Sequence, residues 1–97
     1  MRVFFVVHGF VQGVGYRSLV KRAAEKHKIK GMVKNAGDGS VEIIADGKEE
    51  DLEVFKDAIN MDIAHGPDVR EIEQIAESDE RFPKNAKGYK NFVIETE

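Results

Sequence analysis

One short stretch of the chain combines the residue types that bind an anion. Residues 9–17 read GFVQGVGYR, so three glycines fall within seven positions and an arginine ends the stretch. Glycine lets the backbone adopt positive φ angles, and such a turn can direct several N–H groups toward one point. The planar guanidinium of Arg17 adds a fixed positive charge and paired donors that suit phosphate oxygens. The stretch predicts an anion site, and a phosphoryl group is the anion that suits it best.

The flanking sequence places this stretch between a strand and a helix. Residues 2–8 are apolar at most positions, as in a strand that is buried on both faces and central in a sheet. Residues 18–27 carry apolar side chains at helical spacing. A helix start behind the loop contributes unpaired N–H groups and the positive end of the helix dipole. The order strand, glycine-rich loop, helix therefore supports an anion site.

Other chemistry is less well represented in the sequence. The glycine spacing lacks the Gly-Lys-Ser/Thr of a nucleotide P-loop and differs from the dinucleotide fingerprint, so a plain turn without a ligand stays open on these grounds. The three histidines, His8, His27 and His65, do not share metal-ligand spacing. Neither Ser18 nor Ser40 belongs to a Ser-His-acid pattern, and the chain has no cysteine. We expect no metal, no cofactor and no covalent nucleophile.

A second polar candidate stands at a predicted hairpin. Residues 32–35 form a short strand, residues 35–39 read NAGDG and predict a turn, and residues 40–45 alternate as a second strand. This arrangement places Asn35 at the mouth of the hairpin. Its carboxamide offers both a donor and an acceptor, and so it could hold a water. Asn also starts turns well, and this alternative stays open from the residues alone.

The remaining elements read as a second helix and two strands. Asp46 with Glu49 three residues later predicts a capping pair for a helix that reaches about residue 60. Its predicted inward residues are Leu52, Phe55, Ala58 and Ile59. Residues 69–78 are ambiguous, because Val69, Ile72 and Ile75 are three apart and the period favours a helix. A polar connection over residues 79–90 leads to a short final strand at residues 92–94.

The glycine-rich stretch and the predicted hairpin together resemble the sequence signatures of a known family. GFVQGVGYR is similar to the first signature of the acylphosphatase family, Gly-x-Val-Gln-Gly-Val-x-Phe/Tyr-Arg, and residues 31–41, GMVKNAGDGSV, resemble the second. The resemblance covers essentially the whole chain and is weakest from residue 79 onward. It implies one acylphosphatase-like domain over residues 1–97, with an α+β, ferredoxin-like βαββαβ sandwich. Two helices would pack on one face of a mostly antiparallel four- to five-stranded sheet, and residues 69–78 would form a strand, with a bulge that changes its face.

The resemblance also implies an activity and a site. A member of this family would hydrolyse the carboxyl–phosphate bond of acyl phosphates to carboxylate and inorganic phosphate, without a metal. Arg17 and Asn35 would be the catalytic residues, Asn35 by positioning the attacking water. The phosphate would be held by Arg17 and by the backbone N–H groups of the loop, at Gly13, Val14, Gly15, Tyr16 and Arg17. Without the resemblance, pairing of Arg17 with a surface carboxylate would be the favoured interpretation.

The composition and charge of the chain limit the classes of partner that it can bind. A net charge of −3 argues against nucleic acid, and no apolar run reaches the roughly 20 residues that span a bilayer. The N-terminus has no cleavage-site pattern, and the absence of cysteine fits the cytoplasm. We expect a cytoplasmic monomer whose partner is a small-molecule acyl phosphate, with inorganic phosphate or sulfate as competing anions. The sequence does not name the physiological acyl phosphate.

Two other functions compete with hydrolysis. One is a binding module that keeps the phosphate loop without turnover, because similar domains occur fused in hydrogenase-maturation factors that handle carbamoyl phosphate. The other is an RNA-binding ferredoxin-like domain with Phe4 and Phe5 as stacking platforms, which a basic sheet surface would have to accompany. The chain also departs from the family at Met32, where an aromatic is usual, and in its ending, FVIETE, which lacks a basic residue followed by an aromatic. We expect Met32, and Tyr16 at the Phe/Tyr position, to affect packing rather than charge. We expect the ending to affect the packing of the last strand and its support of the phosphate loop.

Overall fold

Two helices alternate with strands along the chain. The computed structural model describes residues 1–96, and the elements within them are β1 (Arg2–Phe10), α1 (Tyr16–Lys26), β2 (Lys30–Asn35), β3 (Val41–Asp46), α2 (Glu49–Ile59), β4 (Asp68–Ala76) and β5 (Phe92–Ile94). The strands form one sheet in the order β4-β1-β3-β2-β5. All pairs are antiparallel except β2 and β5, which run parallel. The predicted α+β, ferredoxin-like fold class is confirmed.

The topology brings three chain segments to the same end of the sheet. β1 and β2 both pair antiparallel with β3, so β1 and β2 point the same way, and β5 is parallel to β2. The C-terminal ends of β1, β2 and β5 therefore lie at the same end of the sheet, with the start of β3 between those of β1 and β2. Three segments leave the sheet at this end: the glycine-rich loop after β1, the hairpin turn after β2 and the residues after β5.

The central strand is buried on both faces, as its apolar run predicts. Phe5 lies on the helix side of the sheet, where it packs in the main core with Phe55 of α2. Phe4 lies on the other side, in a second cluster that includes Phe82 from the connection between β4 and β5. Both β1 rings are almost fully buried, at 6% and 1% exposure. They are therefore unavailable to stack on nucleic-acid bases.

A bulge explains why β4 has a helix-like period in sequence. His8 pairs with Glu71, but Gly9 pairs with Val69, so Arg70 is an extra residue in β4. The bulge puts Val69 and Ile72, three residues apart, on the same side of the sheet against the main core. Ile75 then faces the second cluster. The strand implied by the family resemblance is confirmed. The extra residue accounts for the spacing of Val69 and Ile72, whereas Ile72 and Ile75 are three apart because they lie on opposite faces of the sheet.

The predicted capping pair of α2 is wrong. Asp46 is the last residue of β3, and the N-cap of α2 is Lys48, which makes no side-chain cap. Three acidic residues occupy the first turn instead, Glu49, Glu50 and Asp51, where they complement the helix dipole. Of the predicted inward residues, Leu52, Phe55 and Ile59 are buried, and Ala58 is half-buried.

The last strand packs well despite the departures from the family pattern. Phe92 of β5 is buried against Phe55, with ring centroids 6.1 Å apart. Met32, in place of the usual aromatic, is buried in the second cluster. The backbone N–H of Glu95 donates to the carbonyl of Val33, so pairing with β2 extends past β5. The final residue of the atypical ending, Glu97, lies outside the described residues.

Tyr16 joins the two helices and offers a stability prediction. Its ring is buried, its hydroxyl donates to the carbonyl of Ile59 at 2.8 Å, and burial raises the pKa of Tyr16. The bond satisfies one of the last carbonyls of α2, which have no partner within the helix. Tyr16→Phe should lower the free energy of unfolding by about 1–2 kcal/mol, because a buried acceptor loses its donor. Urea denaturation measures this loss, and an unchanged midpoint would contradict it.

Candidate active site

Two adjoining cavities lie at the end of the sheet where the glycine-rich loop, the hairpin turn and the residues after β5 meet. The larger, of about 450 Å³, is lined by Gln12 and Arg17, by residues 35–37 of the hairpin and by Glu95 and Thr96. The smaller, of about 130 Å³, lies against the glycine-rich loop. Arg17 borders both cavities. Its guanidinium can therefore act on a group bound in either one.

The loop between β1 and α1 presents unpaired backbone donors. Gly13 and Gly15 have φ angles of 76° and 78°, in the left-handed region that favours glycine, and Gly15 is the N-cap of α1. The first helical N–H with a backbone acceptor is that of Leu19, which donates to Gly15. The N–H groups of residues 13–18 donate to no backbone carbonyl of residues 1–96. With the positive end of the helix dipole, they can bind an anion.

Four of the five predicted loop residues line the smaller cavity. They are Gly13, Gly15, Tyr16 and Arg17, and Ser18 lines it as well. Val14 does not line this cavity; its half-buried side chain packs against the main core and so anchors the loop. The structure therefore brings the glycines and Arg17 to one small site, and Val14 could contribute only through its backbone.

Arg17 is half-buried and makes no ion pair with the described residues. Within residues 1–96, no carboxylate oxygen lies within 4.0 Å of its guanidinium. The surface ion pair that the sequence left open is not present among them. Because its five donors are not used by a carboxylate there, they are free to meet an anion between the two cavities.

Asn35 is the last residue of β2 and lines the larger cavity together with Arg17. The hairpin turn is held by Asp38, whose carboxylate accepts from the N–H and the hydroxyl of Ser40, at 3.0 and 2.6 Å. These bonds lower the pKa of Asp38. The side-chain oxygen of Asn35 is buried and accepts no hydrogen bond from residues 1–96. Asn35 therefore does not hold the turn through its side chain.

A buried acceptor without a donor is an uncommon feature of a folded protein. Leaving such a group unsatisfied costs about 1–3 kcal/mol, and most exceptions have a functional or solvent partner. The oxygen of Asn35 is such an exception, and Asn35 lines the same cavity as Arg17. A water that hydrogen-bonds to the Asn35 carboxamide is the kind of partner that this position can accommodate.

Sequence reasoning missed three residues of the site. The side-chain amide of Gln12 donates to the carbonyls of Ala36 and Ser40, both at 2.8 Å, and so joins the loop to the hairpin. Glu95 and Thr96 line the larger cavity. The signals for Gln12 were its match to the Gln of the first family signature and an amide side chain among glycines, but neither indicates a partner in the hairpin. The sequence carries no signal for Glu95 or Thr96, because their place depends on the parallel pairing of β5 with β2.

The other candidate residues lie in different environments. His8 pairs with Glu73 at 2.8 Å, and this hydrogen bond raises the pKa of His8. The Ser40 hydroxyl is bonded to Asp38. Across residues 1–96, no three histidine, aspartate or glutamate side chains are placed to hold a metal ion together.

The sequence model of the acylphosphatase family matches residues 3–94. The chain belongs to the acylphosphatase family. A curated acylphosphatase from Bacillus velezensis is 46% identical over 59 residues, which are 61% of this chain and 66% of that protein. The aligned part thus spans slightly less than two thirds of this relative.

Solved structures extend the match to the whole chain. The crystal structure of acylphosphatase from Bacillus subtilis is 36% identical, covers 98% of each chain and has a TM-score of 0.78. HypF from T. kodakarensis is 31% identical with a TM-score of 0.77, but the match covers 100% of this chain and only 12% of HypF. The same fold therefore occurs both as a short chain and as a small part of a much longer one.

The lengths of the two helices are relevant to the expectation that the chain does not span a membrane. Both α1 and α2 have 11 residues. Among the described residues, no helix has the length and the apolar character needed to cross a bilayer.

Proposed function

We propose that this chain hydrolyses acyl phosphates to a carboxylate and inorganic phosphate by direct attack of water. The observation that carries the proposal is the shared cleft of Arg17 and Asn35, beside a loop of unpaired N–H groups. In this mechanism Arg17 and the loop hold the phosphate, and Asn35 holds the water. The family membership and the named relatives support the class of reaction.

The loop and Arg17 would bind and stabilise the phosphoryl group. The N–H groups of Gly13, Val14, Gly15, Tyr16 and Arg17 belong to the loop before α1 and to its first turn, at the end where the helix dipole is positive. The guanidinium can form two parallel hydrogen bonds to phosphate oxygens. In phosphoryl transfer, negative charge is spread over three equatorial oxygens, and fixed donors around them lower the barrier. Inorganic phosphate and sulfate would compete for the same donors.

Asn35 would place the attacking water in line with the scissile bond. Rotation about the last torsion of an asparagine side chain is permissive, so the carboxamide can present either its oxygen or its nitrogen to the cleft. The water oxygen attacks phosphorus, the bond to the acyl oxygen breaks, and the carboxylate leaves with the electron pair. Both water protons remain with the products. Asn35 is not a base near neutral pH, and a carboxylate leaving group makes a strong base unnecessary.

The proposal includes several further properties of the protein. The reaction would need no metal and no cofactor, because the guanidinium of Arg17 supplies the positive charge at the phosphate. Residues 1–97 would act as one domain, as a monomer, and the absence of cysteine favours the cytoplasm. A binding module without turnover is the second candidate, because the fold also forms 12% of HypF. Turnover separates the two functions.

We expect steady release of phosphate from benzoyl phosphate by the purified chain, unchanged after exhaustive EDTA treatment. Hydrolysis in ¹⁸O-water should place the label in phosphate, because water attacks phosphorus directly. A loss of more than about tenfold on chelation, restored by Mg²⁺ or Zn²⁺, would contradict the metal-free mechanism. Tight binding of inorganic phosphate without any hydrolysis would favour the binding module.

A further inference from the structure

Gln12 makes the one side-chain link between the glycine-rich loop and the hairpin among the described residues. Its Nε2 atom donates to the carbonyl of Ala36 and to that of Ser40, each at 2.8 Å. A carboxamide nitrogen carries two hydrogens, so both of its donors are used. The side chain is therefore held in one orientation between the two segments.

The acceptors of Gln12 form the base of the hairpin turn. Ser40 O also accepts from the N–H of Ala36 at 2.9 Å, and Ala36 directly follows Asn35. Gln12 thus reaches the two carbonyls that close the turn next to Asn35. A displacement of Gln12 would move the backbone to which Asn35 is attached.

No backbone hydrogen bonds between β1 and β3 connect the glycine-rich loop to the hairpin turn at this end of the sheet. The pairing of β1 with β3 ends at Val7 and Val41, before the loop and the turn begin. Beyond that pair, the loop contains left-handed glycines and the turn has an exposed tip at residues 37–39. Two segments without regular structure must therefore keep a fixed separation, and the side chain of Gln12 bridges them.

We propose that Gln12 is a positioning residue that fixes Asn35 relative to the phosphate loop. This inference rests on the proposed function, in which the loop holds the phosphate and Asn35 holds the attacking water. A reacting geometry that shifts by about 1 Å can cost about 10²-fold in rate. Gln12 acts through Asn35 and is not required for binding of the phosphate itself.

The decisive test is a double-mutant cycle between Gln12 and Asn35. Gln12→Met keeps the length of the side chain and removes both donors, and it should lower kcat by about 10- to 100-fold. The inhibition constant of inorganic phosphate should change less than threefold. In the Asn35→Ala background, the same substitution should lower kcat less than threefold, because the group it positions is gone. Multiplying losses would overturn the inference.

Gln12→Glu adds a readout that a purely structural role would not give. An ionised carboxylate has no hydrogen to donate and repels the two carbonyls, whereas the protonated acid donates one hydrogen bond. Relative to wild type, the kcat of Gln12→Glu should therefore rise as the pH falls through the pKa of the new carboxyl group. The ratio for Gln12→Met should stay flat, and a flat ratio for both variants would contradict the role.

Asp38→Ala is the matched control, because it removes the bonds to Ser40 that hold the turn but leaves the Gln12 link. It should lower the melting temperature and change kcat less than threefold. The link is also tested without substrate. In Gln12→Met, amide exchange at Ala36 and Gly39, which donate within the turn, should be at least about fivefold faster. Unchanged exchange overturns the link itself, whereas an inactive wild type with a normal link contradicts the proposed function.

Discussion

Arg17→Ala should lower kcat/KM for benzoyl phosphate by about 10³-fold or more. An arginine that stabilises a transferring phosphoryl group contributes about 10³–10⁵ in rate in other enzymes of phosphoryl transfer. Arg17 borders both cavities and has no carboxylate partner among residues 1–96, so its charge is available to the substrate. Because the same group would bind the ground state, affinity for inorganic phosphate should fall together with turnover.

Arg17→Lys separates charge from geometry. Lysine keeps the positive charge but presents a compact ammonium in place of the planar fork, so it cannot make two parallel bonds to phosphate. We expect this variant to stay at least about tenfold below wild type in kcat/KM. Arg22→Lys is the matched control on the exposed face of α1 and should have wild-type kinetics. Near-full activity of Arg17→Lys would show that charge alone matters.

The sequence predicts much of the fold because each element carries its own period. The run of apolar residues in β1, the amphipathic helices and the glycine turn all depend on local pattern. β4 is the exception, because Arg70 is an extra residue whose effect appears only in the pairing with β1. The cap of α2 was mispredicted for a related reason. Asp46 has the side chain of a capping residue, but β3 continues through it.

The residues of the candidate site also differ in whether local sequence or distant contacts determine their position. Arg17 and the glycines of the loop are visible in sequence, because one contiguous turn directs their donors to one place. The role of Gln12 is not, because its acceptors are 24 and 28 residues away. Thr96 reaches the cleft through parallel pairing, and no short motif predicts a parallel register. That Asp38 rather than Asn35 holds the turn also required coordinates.

Asn35→Ala should lower kcat by about 10²-fold or more, while the inhibition constant of inorganic phosphate changes little. The magnitude is that of one preorganised polar contact in a transition state, roughly 2.7–4 kcal/mol. The contrast between kcat and phosphate affinity is diagnostic, because Asn35 would touch the water and the loop would touch the phosphate. The expected split therefore differs from that of Arg17→Ala, in which both quantities fall.

The stability of Asn35→Ala provides a second, independent readout. The oxygen of Asn35 is buried without a donor from residues 1–96, so its removal deletes an unsatisfied group. Because such a group costs about 1–3 kcal/mol, the free energy of unfolding should stay level or rise while activity falls. Lys34→Ala is the matched control one residue earlier in β2. Its ammonium lies 3.8 Å from Glu42, away from both cavities, and the variant should keep wild-type kcat.

Asn35→Asp completes the test, because it keeps the size of the side chain and changes only its chemistry. The variant loses the amide donor and gains a negative charge near the bound phosphate. We expect a folded protein with weakened phosphate affinity, because the two negative charges repel, and with turnover essentially lost. Since Asp38 holds the turn, neither substitution at Asn35 should unfold the hairpin. A folded Asn35→Ala variant that hydrolyses benzoyl phosphate at the wild-type rate would exclude the water-positioning role.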